Sequence, residues 1–483
     1  MSDLLERWSR PNRRRSTARA PRALLVLISV HSFGGTLAAQ VDEGEITSGV
    51  WAGAVGADLF YWEFWRDGPN LRGVVHLVSE GRKESELPVD RIEWDFPGLE
   101  LHMDATGVTY RGTADPAGGR IDGQLFYGAE MGPRLELRQV NPDRVPGLRS
   151  RPPGAPSRSC SRPDFLTDGW DTADCRAVGL SNEAIADLVD AIADGEAGVI
   201  HSLLLIIDGK LVVEEYFHGY EREDLHRLAS VTKSVSSLLV GAAVDLGMIS
   251  GVDAPLLSFF PGLQLPTDEA WQSETLYHLL TMSMGLDWGG DEGPHGTGPE
   301  FFQQVIDRRV VHEPGTHWAY QSANVNLLAG VIRRATGQHA DAFAEERLFG
   351  PLGITDYDWS FMETDGYRLM DGSLQLRPRD MAKLGMLLRD RGEWKSRTVI
   401  SSNWIQMSTR PHIATSGPWK YGFLWWLGEL SGEDGPEPLV FANGQGSQFI
   451  GWVPGRDLIF VVTGGNEDNG RHFAIMGLLG RYF

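Results

Sequence analysis

The stretch Leu228-Ala229-Ser230-Val231-Thr232-Lys233-Ser234-Val235-Ser236-Ser237 decides the reading of this chain. It sets a serine and a lysine three residues apart where a helical pattern begins, and on a helix that spacing stacks both side chains on one face. A lysine held beside a serine hydroxyl and partly withdrawn from water can be neutral, take the hydroxyl proton and leave the serine a nucleophile. The competing reading is an ordinary helix start, with Ser230 as cap and Lys233 in solvent. Of the six lysines (Lys83, Lys210, Lys233, Lys383, Lys395 and Lys420), only Lys233 has a serine three positions earlier. The company this pair keeps must decide between the two readings.

The chain has 483 residues and 42% hydrophobic content, enough for a large core and two domains. Its formal net charge is −21, with an isoelectric point near 5.0. Such a surface repels phosphate backbones, so nucleic acid is not an expected partner. The first residues run the other way. Arginines from Arg13 to Arg22 precede an apolar run from Ala23 to Ala39, which ends in the small residues of Leu37-Ala38-Ala39-Gln40. That order is a secretory signal peptide over residues 1–39, and it predicts a periplasmic or extracellular protein. The segment holds seven arginines against Asp3 and Glu6, a net of +5, so cleavage takes the chain from −21 to −26. The apolar run is short for a membrane span and is broken by His31, Gly34 and Gly35. No stable membrane insertion is expected after cleavage. Cys160 and Cys175 are the only cysteines, and the oxidising destination predicts a disulfide between them. Two cysteines without a nearby histidine pair make no structural zinc site, and no His-Glu-x-x-His run supports a zincin.

Residues 41–145 read as a small all-β barrel or sandwich. Short strand-like runs such as Val74–Val78 and Leu135–Arg138 are separated by Gly-rich breaks, and no helical period appears. Trp51, Trp62, Trp65, Tyr110 and Tyr127 are expected in its core. Residues 146–175 read as a Pro-rich linker. From 176 to 483 the pattern is mixed: a helix capped at Ser181, a hairpin turning at Asp208-Gly209, the helix after Ser230, further helices near Ala323 and Arg379, and a second hairpin around Pro454–Asp457. The expected class is α+β, an antiparallel sheet flanked by helices and preceded by the β domain.

The stretch around Ser230 resembles the nucleophile motif of the serine β-lactamase and penicillin-binding-protein superfamily. His278-Leu279-Leu280-Thr281-Met282-Ser283-Met284-Gly285-Leu286, Arg379–Gly385 and Tyr421-Gly422-Phe423-Leu424-Trp425-Trp426 match it in order, over about residues 180–483. The resemblance implies a second catalytic element at Tyr320-Gln321-Ser322, where a phenol beside a cationic lysine can relay protons. Ser322 stands where the family often has asparagine, with Asn324 two residues on. The third element, usually Lys-Thr-Gly-Ser, is matched by Gly444-Gln445-Gly446-Ser447, without the lysine. That form resembles the aminohexanoate-dimer hydrolase and family VIII carboxylesterase branches. The β domain loosely resembles the lipocalin-like domains that precede some secreted serine hydrolases.

The resemblance implies a serine hydrolase for small ester or amide substrates. Ser230 is its nucleophile, Lys233 its base and Tyr320 its proton relay, with the backbone N–H groups of Ser230 and Ser447 as oxyanion hole. Ser322, Asn324, Gly444, Gln445, Gly446 and Trp288 are expected to bind substrate, with Trp419, Trp425 and Trp426 as further candidate walls. The chemistry implies no metal and no organic cofactor. Two alternatives stand: a β-lactamase or D-alanyl-D-alanine peptidase, disfavoured by the absent lysine, and a binding protein that keeps the fold without turnover. Oligomeric state is not legible.

Overall fold

The computed structural model describes residues 49–483 apart from 56–57, 80, 117–118, 143–144, 146–147, 149–159, 267, 291, 361–364, 433–434 and 467–469. The expected signal peptide at 1–39 lies outside the described residues. Among the described residues, no helix is long and apolar enough to cross a membrane. Two compact units are present: one takes in Trp62–Val74 and Pro88–Val140, the other Ala57–Tyr61, Val75–Leu87 and Asn141–Phe483.

The N-terminal strands are β1 (Gly49–Val55), β2 (Asp58–Asp67), β3 (Asn70–Ser79), β4 (Arg82–Val89), β5 (Arg91–Asp95), β6 (Gly98–Met103), β7 (Val108–Ala114), β8 (Arg120–Tyr127) and β9 (Glu130–Val140). They form one sheet in the order β4-β3-β2-β1-β9-β8-β7-β6-β5. The edge strands β4 and β5 are joined through Asp90 alone. In a flat sheet eight interstrand steps would separate them by roughly 38 Å, whereas one residue bridges about 7 Å. The sheet therefore curls, which brings the end of β4 beside the start of β5. Alternate residues of β2, β6, β7 and β9 fill the interior, among them Trp62, Phe64, Leu101, Tyr110 and Leu137. The expected core residues Trp51, Trp62 and Tyr110 are buried, but Trp65 is 40% exposed. It follows the buried Phe64, and period two sends it to the opposite face.

The second unit is built on an eight-stranded antiparallel sheet. Its strands are β10 (Ile200–Ile207), β11 (Lys210–Tyr216), β12 (Ile413–Ala414), β13 (Lys420–Tyr421), β14 (Trp426–Gly432), β15 (Gly435–Gly444), β16 (Gln448–Val453) and β17 (Leu458–Gly464). The order is β11-β10-β17-β16-β15-β14-β13-β12. Asp208 and Gly209 turn the first hairpin with positive φ, 51° and 73°, as a type I′ turn demands. The run Ile-His-Ser-Leu-Leu-Leu-Ile-Ile of β10 is buried throughout because both faces are covered. Leu204 and Ile206 join the core of α2 (Val231–Asp245), α3 (Leu327–Thr336) and α4 (Pro378–Arg389). Leu203, Leu205 and Ile207 join that of α1 (Asn182–Ala193) and α5 (Ala474–Gly480).

Residues 160–175, within the stretch read as linker, pack on this unit. Cys160 and Cys175 form a disulfide, Thr172 bridges Leu211, and buried Trp170 donates through Nε1 to Arg379 O at 3.2 Å.

Helix α2 runs through the centre of the unit and is buried from Val231 to Ala243. Its polar side chains tie surrounding segments to it. Ser234 Oγ donates to Leu424 O at 2.6 Å, Ser236 Oγ to Met370 O at 2.8 Å, and Thr232 Oγ1 accepts the Leu374 N–H at 3.3 Å. These side chains thus hold segments distant in sequence against the first two turns of the helix.

Candidate active site

Ser230 occupies the N-cap position of α2, yet its side chain makes no capping bond. Its Oγ instead accepts from Lys233 Nζ at 2.7 Å. Ala229, just before it, is held at a φ of 45°, in the left-handed region that non-glycine residues rarely adopt. Lys233 is 1% exposed. Its only other hydrogen bond found among the described residues goes to Asp371 O at 2.8 Å. The solvated-lysine reading therefore fails. A buried ammonium normally takes a carboxylate as hydrogen-bond partner, since desolvating a lone charge costs several kcal/mol. Here both acceptors are neutral oxygens, an arrangement that suits an amine which exchanges protons with a hydroxyl.

Tyr320 stands across from this pair, its ring centroid 5.0 Å from Lys233 Nζ, and stacks on Trp426 at 5.6 Å. The short helix Ser322–Val325 follows it. Ser322 Oγ donates to Glu292 Oε2 at 2.5 Å. Asn324 turns elsewhere: its Oδ1 accepts from Trp288 Nε1 at 2.9 Å and its Nδ2 donates to Gln321 Oε1 at 2.8 Å. The structure thus pairs Asn324 with Trp288, and neither lines the cavity at Ser230.

The third segment approaches from the end of β15. A Cβ on Gly444 would lie 2.2 Å from Leu228 O, 3.0 Å from Ser230 N and 3.1 Å from Val231 N. Only glycine lets this strand end press against the start of α2. Ser447 behaves differently from expectation. It is fully buried with a φ of 67°, its N–H donates to His472 Nδ1 at 3.2 Å, and its Oγ donates to His472 O at 2.8 Å. An N–H already spent and turned inward is not available to an oxyanion. Gln445, two residues earlier, lines the cavity instead, and no hydrogen bond from its N–H or from that of Ser230 is found among the described residues. Gly446 serves the hairpin, its carbonyl accepting from Gln448 Nε2 and from the Asn466 N–H.

His472 reinforces that hairpin. Because Nδ1 accepts the Ser447 N–H, the proton sits on Nε2, which donates to Asn443 Oδ1 at 2.6 Å. Burial pushes His472 down to about 4, keeping the ring neutral.

Ser230, Tyr320 and Ser322 open onto a cavity of about 540 Å³, walled by Trp419, Trp426 and Phe473. Trp425, expected beside them, is fully buried. Glu292, His295 and Asp371, like the wall residue Phe473, escaped the sequence reading. His295 Nδ1 bonds Asp371 Oδ2 at 2.6 Å, and the Asp371 side chain is inaccessible to solvent. Burial pulls the Asp371 carboxyl upward, but the His295 hydrogen bond and the charge of Lys233 prevail and hold it below the ordinary carboxylate range. The bond to Asp371 raises His295 above the usual imidazole value, against desolvation. Glu292 and His295 fall in the Gly-rich loop 286–300, whose composition carries no chemical pattern.

Comparison with known proteins agrees with this architecture. The model of the family described as Beta-lactamase matches residues 185–474, more than half of the chain. The chain therefore belongs to the beta-lactamase family. The 6-aminohexanoate-dimer hydrolase of Paenarthrobacter ureafaciens is 25% identical over 224 residues, 42% of this chain and 55% of that protein. Esterase EstB of Burkholderia gladioli is 31% identical over 153 residues, 28% of this chain and 38% of that protein. The match thus spans about half, or less, of these relatives' own length. The solved structure of EstCE1, a hydrolase with promiscuous acyltransferase activity, superposes with a TM-score of 0.51 at 16% identity, covering 62% of this chain and 98% of that one, and shares the fold.

Proposed function

We propose that this member of the beta-lactamase family is a secreted serine hydrolase that cleaves small ester or amide substrates through an acyl-enzyme on Ser230. One observation carries the reading: a fully buried Lys233 with its Nζ 2.7 Å from Ser230 Oγ and only neutral acceptors. Lys233 takes the Ser230 proton as Oγ attacks the substrate carbonyl. The N–H groups of Ser230 and Gln445 receive the developing oxyanion. Lys233 and Tyr320 pass the proton to the leaving alkoxide or amine, and the same groups then activate water against the acyl-enzyme. The aromatic wall of Trp419, Trp426 and Phe473 suits an apolar acyl group or leaving group. On the third segment the cavity presents Asn443 and Gln445 where a carboxylate-binding lysine would favour β-lactams. Export is supported by the basic and apolar leader and by the disulfide.

The test is covalent labelling with a fluorophosphonate probe, alongside turnover of p-nitrophenyl butyrate and the matching anilide. The parent should label and turn over, whereas Ser230→Ala should do neither. Lys233→Met should lose at least about 10³-fold in kcat/KM, as removal of one member of a coupled catalytic unit does. A Ser230→Ala protein with parental turnover overturns the assignment.

A further inference from the structure

The pair His295–Asp371 sits at the edge of the catalytic cavity and is used by none of the steps above. Its placement is specific. The segment Met370–Leu374 is docked on α2 by Ser236 and Thr232, and Asn326 Oδ1 accepts the Met370 N–H at 2.8 Å. This docking brings one residue, Asp371, to Lys233 in two ways. Its carbonyl accepts from Lys233 Nζ, and its carboxylate lies buried close enough for the two charges to act on each other. The same carboxylate is bonded to the ring of His295, which is 51% exposed and faces the cavity.

A buried carboxylate beside a catalytic amine is a hazard for a general base. Its charge stabilises the ammonium form and so works against the form that accepts the Ser230 proton. A cation on the far side of the carboxylate cancels that effect. We propose that His295 is a positioning residue which, through Asp371, compensates the charge beside Lys233 and sets the pH range in which Lys233 acts as base. This inference rests on the reading of Ser230 and Lys233 as nucleophile and base.

The surroundings agree. Among the described residues, Asp371, Lys233 and Glu292 are the charged groups acting on His295, and Tyr320, Arg227 and His472 are the other titratable groups lining the cavity. The hydrogen bond to Asp371 favours protonated His295, Glu292 adds to this, and Lys233 opposes it. Protonated, His295 leaves the Asp371 pair neutral toward Lys233. Neutral, it leaves the full carboxylate charge acting on the base.

The experiment is the pH profile of kcat/KM for p-nitrophenyl butyrate in the parent, His295→Gln, Asp371→Asn and His295→Lys. The limb that rises with pH reports the free enzyme's base. His295→Gln keeps a donor to Asp371 but no charge, and should move this limb to higher pH by on the order of one unit. Asp371→Asn removes the carboxylate charge and should move it to lower pH. His295→Lys restores a cation and should return the limb to the parental position or below. A residue that merely supports the loop would lower the rate without moving the limb in opposite directions. Because His295 is half exposed, its two variants should fold even where Asp371→Asn does not, and an upward shift in Gln that Lys reverses then decides. A parent that takes no fluorophosphonate probe overturns the hydrolase reading and this one with it. A labelled parent whose variants share one limb position overturns this one alone.

Discussion

Gly444→Ala probes the geometry on which the proposed oxyanion site depends. The glycine has no positive φ, so space alone forbids a side chain there. The added Cβ would sit 2.2 Å from Leu228 O, with Ser230 N and Val231 N at 3.0 and 3.1 Å. Ordinary contact begins near 3.4 Å, so the end of β15 must withdraw by about 1.2 Å, the difference between 3.4 and 2.2. All three obstacles are backbone atoms at the start of a buried helix, and none can swing aside. Overpacking of this kind costs about 1–3 kcal/mol of stability, or a few degrees in Tm at roughly 2–4 °C per kcal/mol for a unit this large. The withdrawal also carries Gln445 away from Ser230. A misplacement of about 1 Å costs on the order of 100-fold in rate, equivalent to about 2.7 kcal/mol of transition-state binding. The assay is kcat/KM for p-nitrophenyl butyrate, with circular dichroism melts to show that the variant is folded. Gly262→Ala is the control, since nothing lies within 4 Å of its added Cβ, and it should match the parent in both measurements. A folded Gly444→Ala protein with kcat/KM within threefold of the parent would refute the placement of the oxyanion donors.

Two further outcomes concern stability. Arg379 bonds Glu214 at 2.6 and 2.8 Å and Asp168 at 2.7 Å; Arg379→Met should cost about 3 kcal/mol in urea unfolding, because it strips a buried carboxylate of one of its two guanidinium partners. Glu214→Leu added to it should recover part of that loss, and equal losses in single and double variants would count against the argument. His472 is held neutral with a folded value of about 4, below the ordinary histidine value of about 6.5. The unfolded chain therefore binds the extra proton first. Stability is intact above pH 6.5, falls as pH drops toward 4 by up to about 3 kcal/mol, and levels off below. His472→Gln should flatten that slope in unfolding measured from pH 7 to 4, and an unchanged slope would reject the assignment.

What the sequence made legible was local or periodic. Asp208-Gly209 announces its hairpin because its turn type needs those residues, and Ser181 caps its helix by accepting the Ala184 N–H. Sequence put the oxyanion donor at Ser447, whose N–H is spent on His472, rather than at the proposed Gln445, because a Gly-rich turn has no period to fix its register. Left-handed backbone at Gly446 and Ser447 turns successive N–H groups in different directions. His295 and Asp371 stand 76 residues apart, and no local rule joins them; the docking of Met370–Leu374 on α2 does. The serine-lysine spacing was itself legible but ambiguous, and a second pair in this chain shows why. Asp380 and Lys383 have the same separation on α4, and both are buried. There Lys383 Nζ bonds the Asp380 carboxylate at 2.7 Å, so the charge is compensated and the pair is structural. Replace that carboxylate by the Ser230 hydroxyl, as on α2, and the buried amine has no counter-ion at hydrogen-bonding distance but has a proton source in reach. Identical spacing thus yields a structural ion pair or the proposed base with its nucleophile, and the residue three positions earlier decides which.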